Sequence, residues 1–229
     1  MGTNTHTLRA LIPGWAAPAY LATAVLCLVV YLVVDTSYPT VPGAGVVKAL
    51  GIVMLGLYAL VRGAPLLMLA LFLSAGGDFA LALRPPELEA GILLFGAAHL
   101  VYLSIFAAMI VREGWRRDGL VLAAALVAYG LAMLWWLRPG MGALALEASV
   151  YLGVILAMAI AAGFVKGPRL IVIGALLFVI SDSLLAAGWF REVRPLDWLN
   201  PVWITYGAAQ VCLAVGISAK ARERRISAT

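Results

Sequence analysis

Eight apolar runs, each close to the ~20 residues that cross a bilayer as a helix, dictate what this chain can become. They fall at 17–34, 46–61, 65–83, 89–111, 119–137, 144–165, 169–190 and 198–219. The breaks between them are short and rich in Pro, Gly and charge: TSYPTVPGAG, RGAP, RPPE, REGWRRD, RPGMG, KGPR and REVRPLD. Such breaks predict antiparallel neighbours packed against one another. The expected fold is all-α, a polytopic transmembrane bundle of about eight helices, forming one integral membrane domain over residues 1–229. Composition agrees, because only 12% of the 229 residues are charged and 64% are hydrophobic. A soluble domain carries roughly twice that charge. The start, MGTNTHTLRALIPGW, is polar and offers no small-residue cleavage site, so the first run reads as a retained helix. Myristoylation at Gly2 would add little to a polytopic chain.

A net charge of +5 would suggest a nucleic-acid ligand in a soluble protein. Here the cations sit mostly in loops, which is the membrane-orientation pattern. One face collects Arg9, Arg62, Arg112, Arg116, Arg117, Lys166, Arg169, Lys220, Arg222, Arg224 and Arg225. The other has Arg84, Arg138, Arg191 and Arg194, with Lys48 just inside the second run. The bias predicts both termini in the cytoplasm, and the even number of spans agrees by putting them on one side; the expected membrane is a bacterial inner membrane. No nucleic-acid partner is expected; membrane lipids are. Cys27 and Cys212 match no metal or redox spacing and read as buried thiols.

That topology sorts the intramembrane polar residues by depth. Asp78 and Asp182 lie late in outward-running helices. Lys48, Glu147 and Tyr151 lie early in inward-running ones, and His99, Tyr102, Trp203, Tyr206 and Gln210 in their first half to middle. All fall in the outer half of the bilayer or near its midplane. Facing lipid each would be penalised, so a shared cavity opening to the non-cytoplasmic side is expected. A shift of 104 residues superposes Asp78 on Asp182 and Tyr102 on Tyr206, and maps the third and fourth runs onto the seventh and eighth. A shift of four helices keeps orientation, which implies a parallel 4+4 repeat.

Asp78 and Asp182 are the sharpest signal. Each could be a structural residue tying helices by hydrogen bonds; two acids at matched depth beside Lys48, His99 and Glu147 point instead to a site. Burial generally raises a carboxyl's pKa, and a second acid nearby raises one of the pair further. One protonated and one ionised acid would suit acid–base work across a C–O bond. Lys48 is either a counter-ion, for the acids or for a lipid phosphate, or a snorkelling lysine. Glu147 reads either as part of that cluster or as a helix-start residue facing water. Tyr102, Tyr151, Trp203 and Tyr206 could orient a substrate, although interfacial belts explain many such aromatics, Trp198 and Trp203 above all. Ser74 and Ser181 precede acids without an evident base, and Ser181 reads as a helix-bonding or acid-positioning residue. His6 and His99 are the only histidines, so a three-His zinc site cannot be built; no metal and no cofactor is expected. An intramembrane aspartyl protease signature would need Gly at Ala75 and Tyr at Ser181.

These residues resemble the YhhN-like lysoplasmalogenase family of polytopic membrane proteins. Lys48 opens the second helix. Ser74 with Gly77 and Asp78 is similar to the family's S-x-x-G-D, and His99 with Tyr102 to its H-x-x-Y. Tyr151 matches a tyrosine of the sixth helix. Gly174 to Ala186, GALLFVISDSLLA, is close to the most distinctive motif, G-A-x-L-F-x-x-S-D-x-x-L-A. Tyr206 and Gln210 match Y-x-x-x-Q in the last helix. Ala49 departs from the pattern, standing where a proline follows the lysine, and loosens that N-terminal turn. The resemblance implies an enzyme that hydrolyses the vinyl ether of a lysophospholipid substrate to a fatty aldehyde and a glycerophospho-base. Under it Asp78 and Asp182 share catalysis. His99, Tyr102, Tyr206 and Gln210 position the ether oxygen or water, and Lys48 meets the phosphate. A different function for the same features is a proton-coupled transporter or lipid-binding protein whose Asp pair carries protons.

Overall fold

The structure, a computed structural model, describes residues 13–37 and 43–226. Gly2, His6, Arg9 and part of the TSYPTVPGAG break lie outside the described residues. Eight long helices follow in order: α1 Ala16–Ser37, α2 Ala44–Val61, α3 Pro65–Ala82, α4 Leu88–Glu113, α5 Gly119–Leu137, α6 Ala145–Phe164, α7 Arg169–Arg191 and α8 Pro201–Ile226. All eight are long and apolar enough to span a membrane. The described residues contain no strand; an isolated antiparallel bridge joins Trp115 to Val165 between the α4–α5 and α6–α7 loops. A lipid-facing backbone must satisfy its own hydrogen bonds, which is why these runs become helices. Pro65 starts α3 at a position where its missing N–H is no loss. Asn200 and Pro201 start α8 in the same way, the Asn200 carbonyl oxygen Oδ1 accepting the Trp203 backbone N–H at 3.1 Å.

Helices α1 to α4 pack in succession, and so do α5 to α8. Between the halves, α2 packs on α8 and α4 on α6, contacts that exchange under a shift of four helices. The pairing thus follows the 4+4 pattern. It departs at one seam: α1 also packs on α8, whereas α5 lies against α6 and α7 and makes little contact with its predecessor α4. Loop shortness alone therefore misassigns α5's neighbour; the packing partners are chosen by the helix faces, not by succession.

Packing differs between the two ends of the bundle. The dry core is built from the late turns of α2, α4, α6 and α8 and the early turns of α3 and α7, with Leu55, Leu71, Phe106, Met158, Ile171 and Leu213 fully or almost fully buried. That end also carries the Glu113 carboxylate, bound by Lys220 at 2.8 Å and Arg224 at 2.7 Å. Close approach of α7 and α8 depends on Gly174, where an added methyl would lie 2.9 Å from the Ala209 carbonyl oxygen and 2.8 Å from Leu213. Small residues let membrane helices meet backbone to backbone, since lipid supplies no hydrophobic drive between them. The opposite end, where α1, α3, α5 and α7 finish, is where the polar side chains and the cavity are found.

Candidate active site

A cavity of about 350 Å³ occupies that end, lined by Lys48, Asp78, Tyr151, Ser181, Asp182, Trp203 and Tyr206 and by apolar residues of α4 to α7. Both acids face the same space, although they lie on helices α3 and α7 from different halves of the chain.

Asp78 is 1% exposed and has both oxygens engaged. Lys48 Nζ approaches Oδ1 at 3.1 Å, and the Tyr206 hydroxyl donates to Oδ2 at 2.5 Å. Behind Tyr206, Gln210 Nε2 donates to the tyrosine oxygen at 3.2 Å while its Oε1 accepts the Tyr102 hydroxyl at 2.8 Å. Tyr102, Tyr206 and Gln210 are all buried. Each polar group in this chain has a partner, so the network fixes the Asp78 carboxylate rather than leaving it to rotate. Lys48 also lies over the rings of Trp203, 5.2 Å from its centroid, and Tyr31, at 5.8 Å.

Asp182 is surrounded differently. Its Oδ2 accepts the Tyr151 hydroxyl and lies 3.6 Å from His99 Nε2. His99 Nε2 is 3.1 Å from the Tyr151 oxygen. Tyr151 has one proton and gives it to Asp182, so the histidine bears its own proton on Nε2 and donates it to Tyr151. His99 is fully buried, its ring edge-on to Phe178 at 4.5 Å, and Nδ1 has no partner among the described residues. The other Asp182 oxygen, Oδ1, has no protein partner among them. The side chain is 14% exposed and borders the cavity.

The two acids are held by equivalent helices. Asp78 on α3 is reached from α2 and α8; Asp182 on α7 is reached from α6 and α4. A shift of four helices exchanges the two sets. The chemistry is not symmetric, because a lysine stands beside one carboxyl and a phenol and an imidazole beside the other.

A model of the YhhN family matches residues 43–217, most of the chain. The chain belongs to the YhhN family. No curated protein and no solved structure matches it. In this YhhN-family chain the seventh-helix motif has divided duties. Asp182 enters the cavity. Ser181 Oγ donates to the Val202 carbonyl at 3.0 Å, pinning α7 to the start of α8. Ser183 Oγ donates to Val179 O at 2.6 Å and accepts the Tyr129 hydroxyl at 2.6 Å, tying α5 to α7.

Several residues lie elsewhere than a reading of the chain suggests. Trp203 is not part of an interfacial belt: it is 4% exposed and donates from Nε1 to the Leu28 carbonyl at 2.9 Å. Trp198, 73% exposed, is the solvent- or lipid-facing one. Lys48 is held by Asp78 as a counter-ion, and it also borders the cavity. Glu147, in the first turn of α6, does not line the cavity, and neither does Ser74, which is buried with an unpartnered hydroxyl. His99, Tyr102 and Gln210 form a layer behind the lining. Sequence reading misses Tyr31, Asp35 and Asn200. The Tyr31 hydroxyl donates to Asp35 at 3.1 Å, and Asn200 Nδ2 donates to Asp35 at 2.6 Å, clamping α1 to α8 beside the cavity. The Asn-Pro pair at the head of the last run carried a usable helix-start signal for Asn200. Among the described residues, no three His, Cys, Asp or Glu side chains converge as metal ligands would.

Proposed function

We propose that this protein hydrolyses the vinyl ether bond of lysoplasmalogens, or of a closely related ether lysolipid, releasing a fatty aldehyde and a glycerophospho-base. The observation that carries the reading is the pair of unlike carboxyls bordering one greasy cavity. Asp78 is flanked by an ammonium and a phenol; Asp182 keeps one oxygen without a partner among the described residues.

Protonation of the β-carbon of a vinyl ether gives an oxocarbenium ion. Water adds to the carbon bearing the ether oxygen and forms a hemiacetal. The hemiacetal passes its hydroxyl proton to the glyceryl oxygen and collapses to aldehyde and alcohol. In this reading Asp182 delivers the first proton through Oδ1 and, as carboxylate, then takes one from the attacking water. Asp78 stays ionised beside Lys48 and offsets the positive charge of the oxocarbenium. The division parallels glycoside hydrolysis, where an acid/base residue and an anion flank a similar cation. Tyr151 and His99 hold Asp182 in place, and Tyr206 holds Asp78. Leu88, Ile92, Met133, Leu137, Ala148 and Leu152 give the alkenyl chain an apolar slot. The basic residues concentrated at the other end of the bundle support a cavity that opens on the non-cytoplasmic side.

Aldehyde release by the purified protein tests the proposal, with vinyl-ether and saturated-ether lysolipids side by side. Aldehyde from the vinyl ether alone is expected. No aldehyde from either, together with proton-coupled uptake into liposomes, would replace hydrolysis with transport.

A further inference from the structure

The cavity wall contains two cations, Lys48 and Arg194. Lys48 is bound to Asp78 at 3.1 Å deep in the site. Arg194 lies in the α7–α8 loop where the cavity reaches the end of the bundle. Its stem runs along the last turns of α7: a methyl built on Gly188 would touch Arg194 Cγ at 3.5 Å and Nε at 3.7 Å. Among the described residues no carboxylate pairs with it. Asp197, three residues on, also lines the cavity and pairs with no cation among them.

The loop that carries both is anchored. Val193 N–H donates to the Ala187 carbonyl at 3.1 Å, and Leu199 N–H to the Leu196 carbonyl at 2.8 Å. Asn200 caps α8 and bonds Asp35 on α1. Arg191, three residues earlier, stands 5.8 Å from the ring of Trp136 and outside the lining.

We propose that Arg194 and Asp197 form a headgroup subsite at the cavity mouth for a zwitterionic phosphodiester, Arg194 binding the phosphate and Asp197 the terminal ammonium. This rests on the reading of the substrate as a lysolipid whose chain occupies the cavity, and it names the part of that substrate the mouth selects. A guanidinium suits a phosphate through paired N–H donors. Asp197 favours a cationic terminus and repels an anionic one, so the subsite discriminates between headgroups as well as attracting them.

Binding of saturated lysolipids separates this from catalysis, because a saturated ether has no vinyl group to protonate. Trp189 and Trp203 line the cavity, and their fluorescence reports occupancy. The ligands are 1-O-alkyl-glycerophosphocholine, 1-O-alkyl-glycerophosphate and 1-O-alkylglycerol of equal chain length, with inorganic phosphate as a fourth. The wild-type protein is expected to bind the phosphocholine lipid about tenfold or more tightly than the alkylglycerol, the range of a charge-assisted contact. R194Q removes that preference and leaves the alkylglycerol affinity unchanged. D197N removes the preference for phosphocholine over the phosphate monoester. Inorganic phosphate gives no saturable response, which distinguishes a lipid headgroup from a free anion. Equal affinities for all three lipids in the wild type, an undiminished preference in R194Q, or phosphate binding as strong as the lipid's would each overturn the subsite. Headgroup selection without aldehyde from any vinyl ether would leave the subsite standing and remove the proposed reaction.

Discussion

At Asp78 an ion pair joins a buried carboxylate to a lysine that borders the cavity, and such a pair costs most when only one partner is removed. Lys48→Met leaves the Asp78 charge without its ammonium and should destabilise the folded protein by about 3–5 kcal/mol. The double variant K48M/D78N should recover most of that loss in a detergent-solubilised unfolding measurement, while remaining inactive. A single variant no less stable than the wild type would show that the pair does not hold the site together. On the other side of the cavity, Tyr151→Phe removes the hydroxyl on Asp182 without changing the ring. Loss of one preorganised donor of this kind lowers turnover by about 10²–10³. Under the proposed reaction most of that loss should appear in kcat rather than KM, because the Tyr151 hydroxyl is engaged by Asp182. The residue types at these positions were visible in the chain, since ionisable groups in apolar runs advertise themselves. Their pairing was not. Lys48 could be placed near the acids but not assigned to one of them, because a flexible four-carbon stem reaches phosphate or carboxylate equally well. Tyr31, Asp35 and Asn200 carry no comparable signal in the chain, because their clamp exists only where α1 lies on α8.

Helices are where sequence and structure agree most closely, and where the disagreements have a clear cause. The apolar runs start and stop within a few residues of α1 to α7, because the length of a membrane span is set by the bilayer and its ends by Pro, Gly and charge; α8 instead continues past its run, through the basic residues after Ala219, to Ile226. What hydropathy cannot rank is which helix faces which, since lipid is as apolar as a neighbouring leucine. That is why α5 settles on α6 and α7 rather than beside α4. Glycine carries more of this information than the hydrophobic residues do. At Gly174 an alanine methyl would meet backbone and side-chain atoms of α8 at 2.8 to 3.0 Å, so Gly174→Ala should cost about 1–3 kcal/mol. Thermal unfolding of that variant checks the α7–α8 contact directly. The apolar slot makes a second prediction at this scale. Ala148 is buried in the cavity wall on α6, and Ala148→Phe fills part of the space the alkenyl chain would use. A chain-length series should show the variant losing its preference for long chains, by up to ~0.8 kcal/mol per methylene excluded.

Across the whole molecule, one end of the bundle is a dry core and the other a polar cavity, and the two roles divide between helix ends. The 4+4 pairing explains how a chain with two unremarkable halves makes an asymmetric site. Equivalent helices bring two carboxyls to one space, and the substitution of Lys48 on one side for Tyr151 and His99 on the other makes them chemically different. The sequence pairs Asp78 with Asp182 and Tyr102 with Tyr206 under one shift, but the partners of each acid do not obey it, so no shift of the chain could reveal which carboxyl meets the lysine. Membership of the YhhN family accounts for the motifs in order along the chain; the cavity accounts for why those residues belong together. The central claim is that both carboxyls are needed for one reaction. Its most direct test is aldehyde release from a vinyl-ether lysolipid by D78N and D182N, each assayed beside the wild type at a temperature where thermal unfolding shows all three proteins folded. The account predicts that either change lowers turnover by at least ~10²-fold, the scale of a lost general acid or a lost stabilising charge. Near-full activity in both variants would contradict it.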